Sequence, residues 1–337
     1  MNSDSGGLYQ LTDRSPHSAS NAGLVFSKGF DDLEDLLVST RQWDLDFLQL
    51  KQGRFVGRIT QVIASSWQLS HARFDSTLRQ EGLPPTGLRN IVIPASSCQD
   101  FTWRRHRISG NSIMLFPLGS ELESITGPGF EVYILAVPEA HLDQLCSGLG
   151  LPGIQALTAT AEVVQCDPAE VQELRQMLHG CVHHLVRSPQ LIHQPSFSSV
   201  VEFDLCARVL FALARGLAVQ PEDAPRRQLY VLKAAEAFIK AHAHKAPTIH
   251  QICQQLCISE RTVRSAFHRR YGVSPKAFLM AYRLSHARRQ LRNHDLGSTT
   301  VQDVATAWGF WHMGQFAHDY KAMFGELPSK TLSRPPT

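Results

Sequence analysis

Long apolar runs are missing from this chain of 337 residues: the longest uninterrupted one is Val132–Pro138, far short of the ~20 residues that a membrane-spanning helix needs. The N-terminal MNSDSGGLYQ lacks the basic-then-apolar order of a secretory leader, so a cytoplasmic protein with no membrane partner is expected. Paired cysteines are missing too. The seven, at 98, 146, 166, 181, 206, 253 and 257, are odd in number and scattered, which argues against a disulfide framework and leaves reduced, mostly buried thiols. No G-x-S-x-G elbow, Gly-rich phosphate loop or paired zinc motif occurs, so the chain reads as a non-enzyme with no catalytic residue, metal or cofactor. His179 and His183 stand at i, i+4 with His184 beside them, but no carboxylate or thiol completes a set; among 16 His such pairs arise by chance, and a solvated helix face is expected.

What is present is an ordinary globular composition, 43% apolar and 19% charged, in a length that suggests two or three domains. The net charge of +3 hides an asymmetry. From Pro225 onward there are 17 Lys and Arg against 6 Asp and Glu, whereas the first 224 residues carry 16 bases and 24 acids. Clustered cations release condensed counterions from a polyanion, so the basic third is expected to bind one.

Residues 1–28 are rich in Ser, Gly and Asn without an apolar period and read as a mobile tail. Residues 29–166 read as a β-rich domain: Phe55–Ile59, Val62–Leu69, Asn90–Pro94, Ser112–Phe116 and Phe130–Val137 alternate with Gly and Pro punctuation, as in a small sandwich or barrel. Asp167-Pro168 opens a helix whose Val171, Leu174, Leu178, Cys181 and Leu185 share one face. A second helix is expected over Ser199–Leu217. Its Leu205, Val209, Leu210 and Leu213 add an apolar face beyond what the small β domain obviously covers, so residues 167–220 are expected to form a strut or a homodimer contact. Trp103-Arg-Arg-His-Arg107 is a basic knot in the acidic half, read as a solvated strand end or an anion contact.

The stretch from 225 to 337 contains a repeat. Ile249, Ile252, Cys253 and Leu256 match Val301, Val304, Ala305 and Trp308 at an offset of 52; Val263, Phe267, Tyr271 and Gly272 match Phe316, Tyr320, Phe324 and Gly325 at 53. Each copy, 249–271 and 301–324, is a short helix with a small residue at its fifth position, a turn, and a second helix of about twelve residues. That is a helix-turn-helix, in which the small residue lets the second helix cross close over the first. Between the copies Ser274-Pro275 opens a helix that runs to about Asn293. It would be roughly 28 Å long, which suits two recognition helices entering successive major grooves about 34 Å apart.

The segments SERTVRSAFHRRYGVSP, RLSHARRQL and VATAWGFWHMGQFAHDYKAMFGELP resemble the DNA-binding region of AraC/XylS-type bacterial transcription regulators, over about residues 228–333. The resemblance implies an N-terminal cupin-like barrel that binds a small-molecule effector and dimerises. It also implies a C-terminal all-α double helix-turn-helix on duplex DNA, contact with RNA polymerase, and activation rather than repression. On the first recognition helix Val263, Ala266, Phe267 and Tyr271 form the inward stripe, leaving Arg261, Arg264 and Ser265 to the bases. A guanidinium can bond both O6 and N7 of guanine. On the second helix, Gly314, Gln315, His318 and Lys321 face out, with Gln315 and His318 as base readers. Thr262, His268, Arg269 and Lys321 are assigned to phosphates. Trp308 and Phe310 are expected in the turn packing. Two other readings are weighed: a methyl-accepting alkylation-repair regulator, opposed by N-terminal cysteines without C-x-x-C pairs, and a ligand-free architectural DNA binder, which leaves the acidic half unexplained.

Overall fold

Val132–Pro138 is apolar on both sides because its strand runs through the middle of the larger of two sheets. The computed structural model describes residues 23–40, 43–96, 101–117, 119–158, 161–221, 226–293 and 299–335. Its strands are β1 (Leu24–Phe30), β2 (Asp44–Gln49), β3 (Gly57–Ile63), β4 (Gln68–Phe74), β5 (Leu78–Leu83), β6 (Leu88–Pro94), β7 (Phe101–Trp103), β8 (His106–Ile108), β9 (Ser112–Leu115), β10 (Leu122–Ile125), β11 (Phe130–Pro138), β12 (Val163–Gln165) and β13 (Leu217–Ala218). One sheet runs β1-β3-β4-β11-β6-β9-β12-β13 and the other β2-β5-β10-β7-β8. They face each other as an open, cupin-like sandwich and do not close into a barrel.

On β11, Phe130 and Val132 point between the sheets, while Tyr133, Leu135 and Val137 point to a helical layer on the outside. A strand buried on both faces loses the polar alternation of a half-exposed one. The outer layer holds α2 (Glu139–Gly148), α3 (Ile154–Thr158), α4 (Pro168–Arg187), α5 (Pro195–Ser199) and α6 (Cys206–Arg215); α1 (Leu33–Ser39) follows β1. Asp167 caps α4, its carboxylate accepting from the Ala169 and Glu170 amides.

Four expectations are corrected here. Residues 24–28 are not tail but belong to β1, paired with β3 from Leu24↔Ile63 onward; residues 1–22 lie outside the described residues. Val62–Leu69 is a hairpin rather than one strand, since Ser65-Ser66 turns the chain and the Ala64 amide donates to the Trp67 carbonyl at 2.9 Å. The helix expected over Ser199–Leu217 has a π-helical turn at Val200–Leu205 and ends at Arg215. At Gly216 a Cβ would strike the Val164 side chain, and Leu217–Ala218 then pairs with β12. The apolar face of this helix is not left for a partner. Leu205, Val209 and Leu210 are 0% exposed and Leu213 5%, packed with Val171, Leu174 and Leu178 of α4 against the larger sheet. The dimer contact expected on that face is therefore the chain's own core.

The basic third is all helix among the described residues: α7 (Arg226–His242), α8 (Ile249–Leu256), α9 (Glu260–Tyr271), α10 (Pro275–Arg292), α11 (Val301–Ala307), α12 (Met313–Phe324) and α13 (Pro328–Leu332). Its core of Phe267, Phe278, Leu284, Phe316 and Tyr320 continues onto Leu48 and Ile125 of the smaller sheet and Leu50 just beyond β2. The sandwich and the helical module thus share one apolar cluster.

Candidate DNA-binding face and ligand cavity

The two helix pairs repeat each other at their ends. Thr248 and Thr300 each form a reciprocal cap, with Gln251 and Asp303 reaching back. Both turns need a left-handed residue, supplied by Cys257 (φ 53°) in the first and Gly309 (φ 75°) in the second. Cys257 is exposed, whereas Cys253, the small residue at the fifth position of α8, is buried. The second turn is longer by Trp311, an indole 72% exposed beside the start of α12. The turn packing expected of Trp308 and Phe310 is not assigned to Trp311. Phe310 is buried and Trp308 half-buried, with the Arg283 guanidinium 4.1 Å over the Phe310 ring.

Burial divides both second helices as the spacing predicts. Val263, Ala266, Phe267 and Tyr271 of α9, and Phe316, Tyr320, Met323 and Phe324 of α12, are buried. Arg261, Arg264, Ser265, His268 and Arg269 are exposed on α9, as are Gly314, Gln315, His318 and Lys321 on α12. Thr262 is half-buried and its hydroxyl meets that of the cap Ser259 at 2.7 Å. Arg264 pairs with Glu260 at 2.5 Å, Arg269 donates to Gln228 at 3.0 Å, and Gln315 donates to Asp319 at 2.8 Å. These are solvent-facing contacts one helical turn or one neighbour away, each worth a few tenths of a kcal/mol, about 0.3–0.5 for an i, i+4 pair. A nucleic acid could displace them at little cost.

Other bases of the same third turn inward. Arg288 is 4% exposed and lies 2.9 Å from Asp32 and 2.8 Å from Glu326. Burial opposes its charge, but Tyr320, Asp32 and Glu326 outweigh that and hold its proton more tightly than usual. Arg289 reaches Glu34 at 3.2 Å and also Asp46, while Arg292 reaches Asp35 at 2.6 Å. Arg270 at the end of α9 meets Glu123 of β10 at 2.5 Å, and Lys240 meets Glu81 of β5 at 3.0 Å. Near the end of α12, the Met323 carbonyl accepts from Gln49 Nε2 at 2.8 Å and from the Gly53 amide at 3.2 Å. The charge asymmetry of the two halves is thus in part complementarity between them. Sequence counting, which attributed it to an outside polyanion, could not separate the two.

The smaller sheet is a wall with one face toward the helical module and the other toward a cavity. Asp46, Glu81 and Glu123 lie side by side in register on its outer face. One residue along, Phe47, Gln80, Ser124 and Trp103 form the neighbouring inner row. Successive side chains of a strand point to opposite faces, so each of these three acids, which hold Arg289, Lys240 and Arg270, is bonded to a residue lining the cavity. Close approach of β2 and β5 is fixed at Gly82 (φ 147°), where a Cβ would collide with the Asp44 carbonyl oxygen. The cavity measures about 80 Å³ and is lined mainly by apolar and aromatic side chains.

The basic knot is placed differently. Arg104 and Arg105 form the turn between β7 and β8, Trp103 and His106 are buried, and Arg104 bonds Glu162 at 2.5 Å. Among the described residues no group of three or more His, Cys, Asp or Glu stands close enough to hold a metal ion. Burial pushes the Cys166 and Cys206 thiols up to about 12, which keeps them protonated rather than nucleophilic. No described helix is long and apolar enough to cross a membrane.

Two tandem helix-turn-helix pairs joined by α10 define a DNA-binding module. Residues 252–334 match the family model described as a helix-turn-helix domain. A probable thc operon regulatory protein of Rhodococcus erythropolis is 27% identical over 202 residues, 58% of this chain and 58% of its own length. XylDLEGF operon transcriptional activator 2 of Pseudomonas putida is 31% identical over 96 residues, 28% of this chain and 61% of its own. A crystal structure of a probable AraC family transcriptional regulator from Rhodopseudomonas palustris is 38% identical, covering 32% of this chain and 99% of that one, with a TM-score of 0.30. Over its C-terminal third the chain carries a helix-turn-helix domain and is similar to these transcription regulators. The chain spans about three fifths of the length of the first two relatives.

Proposed function

We propose that the protein is an effector-responsive transcription regulator, acting as an activator, that reads two adjacent major grooves of duplex DNA with α9 and α12. The observation that carries this reading is the pairing of two second helices with exposed polar faces on one helical module that shares a single core. Arg261, Arg264, Ser265, Gln315 and His318 take the base edges in this reading, and Thr262, His268, Arg269 and Lys321 the phosphates. The cavity in the sandwich takes the effector. Its smaller sheet supplies the coupling: β10 holds the end of α9 through Glu123, and Gln49 with Gly53 holds the end of α12. A ligand pressing on the inner row of that sheet would shift the two recognition helices relative to each other, and with them the fit to successive grooves. Pairing of two chains on a full site and contact with RNA polymerase belong to this reading through the family resemblance alone, and residence in the cytoplasm is part of the same proposal.

The reading is tested by titrating the full chain with random-sequence and selected duplexes. Binding that selects one sequence, and that changes when a ligand raises the melting temperature, supports it. Equal affinity for every duplex would favour an architectural DNA binder instead.

A further inference from the structure

The geometry points to a compact, uncharged, largely apolar effector that carries a hydrogen-bond acceptor such as a carbonyl oxygen. This inference rests on the reading of the sandwich as the effector domain and names the chemistry of its ligand. The cavity lies between the two sheets, and no Lys, Arg, His, Asp or Glu is among its lining residues. Trp43, Phe47, Phe101, Trp103 and Phe130 give it aromatic walls. A carboxylate or ammonium group entering it would lose its hydration without meeting a counter-charge, which excludes charged metabolites as tight ligands.

Thr40, Gln61, Ser70, Gln80, Trp103 and Ser124 bring polar atoms to the lining, and two of their donors are buried without a partner. Gln80 is 6% exposed and Trp103 2%, and neither Gln80 Nε2 nor Trp103 Nε1 has a hydrogen-bond partner. Both side chains line the cavity, in one cross-strand row with Ser124 between them. A buried N–H without an acceptor is costly, and a native fold keeps one where something else supplies the acceptor. Both unpaired atoms are donors, so the missing group is an acceptor. The neutral lining requires that this acceptor carry no net charge. At about 80 Å³ the space is smaller than the roughly 150 Å³ engineered cavity that accepts benzene. A ligand of one ring or a short branched chain therefore fits with modest displacement of the walls, and a long chain does not.

The test uses the full chain and three one-ring probes of similar size: acetophenone, benzoate and ethylbenzene. Affinity is read from quenching of tryptophan fluorescence, because Trp43 and Trp103 line the cavity, and from melting temperature. Acetophenone should bind about tenfold more tightly than ethylbenzene, the value of one neutral hydrogen bond, and benzoate should bind more weakly than either. Gln80→Leu removes one donor at similar volume and Trp103→Phe removes the other with a smaller ring; each should shrink the acetophenone preference over ethylbenzene several-fold, with melting temperature unchanged for Gln80→Leu and lowered modestly for Trp103→Phe by the space its ring leaves. If either variant fails to fold, the other and the three probes on the unmodified chain still decide. Benzoate binding as tightly as acetophenone, ethylbenzene binding equally well, or no binding by either neutral probe would overturn the inference. Acetophenone that binds as described but leaves DNA affinity unchanged would overturn the regulatory reading and leave the ligand chemistry standing.

Discussion

Arg264 and Arg288 belong to the same basic third, yet they sit in opposite electrostatic settings. Arg264 lies on the outer face of α9 with a single exposed partner one turn away. Arg288 of α10 is enclosed by Asp32 at the start of α1, Tyr320 of α12, Thr331 of α13 and Glu326 between those two helices. The same contrast holds for Lys321 against Arg289 and Arg292. Bases that face out are available to phosphates and base edges; bases that face in are already neutralised by the acidic half and fasten the helical module to the sandwich. A net charge counted per domain adds the two populations together, although only the first contributes to nucleic-acid affinity.

The contrast can be broken most forcefully at Arg288. Arg288→Ala leaves the fully buried Asp32 carboxylate without its main counter-charge, and should cost about 3–5 kcal/mol of unfolding free energy, measured by urea titration. Arg264→Ala should leave stability within about 0.5 kcal/mol. On the preferred duplex it should cost roughly 1–3 kcal/mol and relax the preference at one base pair, measured by competition among duplexes that differ at single positions. Equal losses on specific and random DNA would make Arg264 a phosphate contact.

A smaller effect is expected at His286 of α10, stacked on Trp308 at 4.8 Å and close to Tyr282 at 4.3 Å. Burial first, and then the neighbouring Arg289, lower its pKa to about 4 from an ordinary 6.5. The unfolded chain therefore takes up a proton as pH falls below 6.5 while the folded chain does not. Its contribution to stability is complete above pH 6.5 and is lost as pH falls toward 4, by about 1–2 kcal/mol after allowance for its partial exposure. His286→Gln should show a correspondingly flatter stability profile between those values. The smallest expected effect is that of Lys321→Ala, which should weaken every duplex about equally and reduce the salt slope by about one phosphate.

The helical module was the most legible part of the chain. Apolar spacing of 3.6 residues, repeated at offsets of 52 and 53, specified α8, α9, α11 and α12 together with their inward and outward faces. The larger sheet was legible where strands are buried on both sides, as in β6, β9 and β11. The smaller sheet was not. Strands such as β2 (DLDFLQ), β5 (LRQEGL) and β10 (LESI) carry charges on the outer face because acids and bases meet there across an internal boundary, so they read as polar surface segments. For the same reason the cavity donors Gln80 and Trp103 gave no signal. One is a lone amide in a polar stretch and the other opens the basic knot. The apolar face of α6 was visible in the sequence, but its partner was not: Leu210 packs on α4 and the larger sheet, so Leu210→Glu is expected to unfold the sandwich rather than split a dimer.

The division between outward and inward bases is tested most directly by equilibrium binding of the folded full chain to a short duplex over a range of salt concentrations. The account predicts measurable binding at low salt, with the logarithm of affinity falling linearly and steeply against the logarithm of salt concentration as phosphate-bound cations are released. A full chain that is folded by circular dichroism and shows no binding to any duplex at low salt would contradict it.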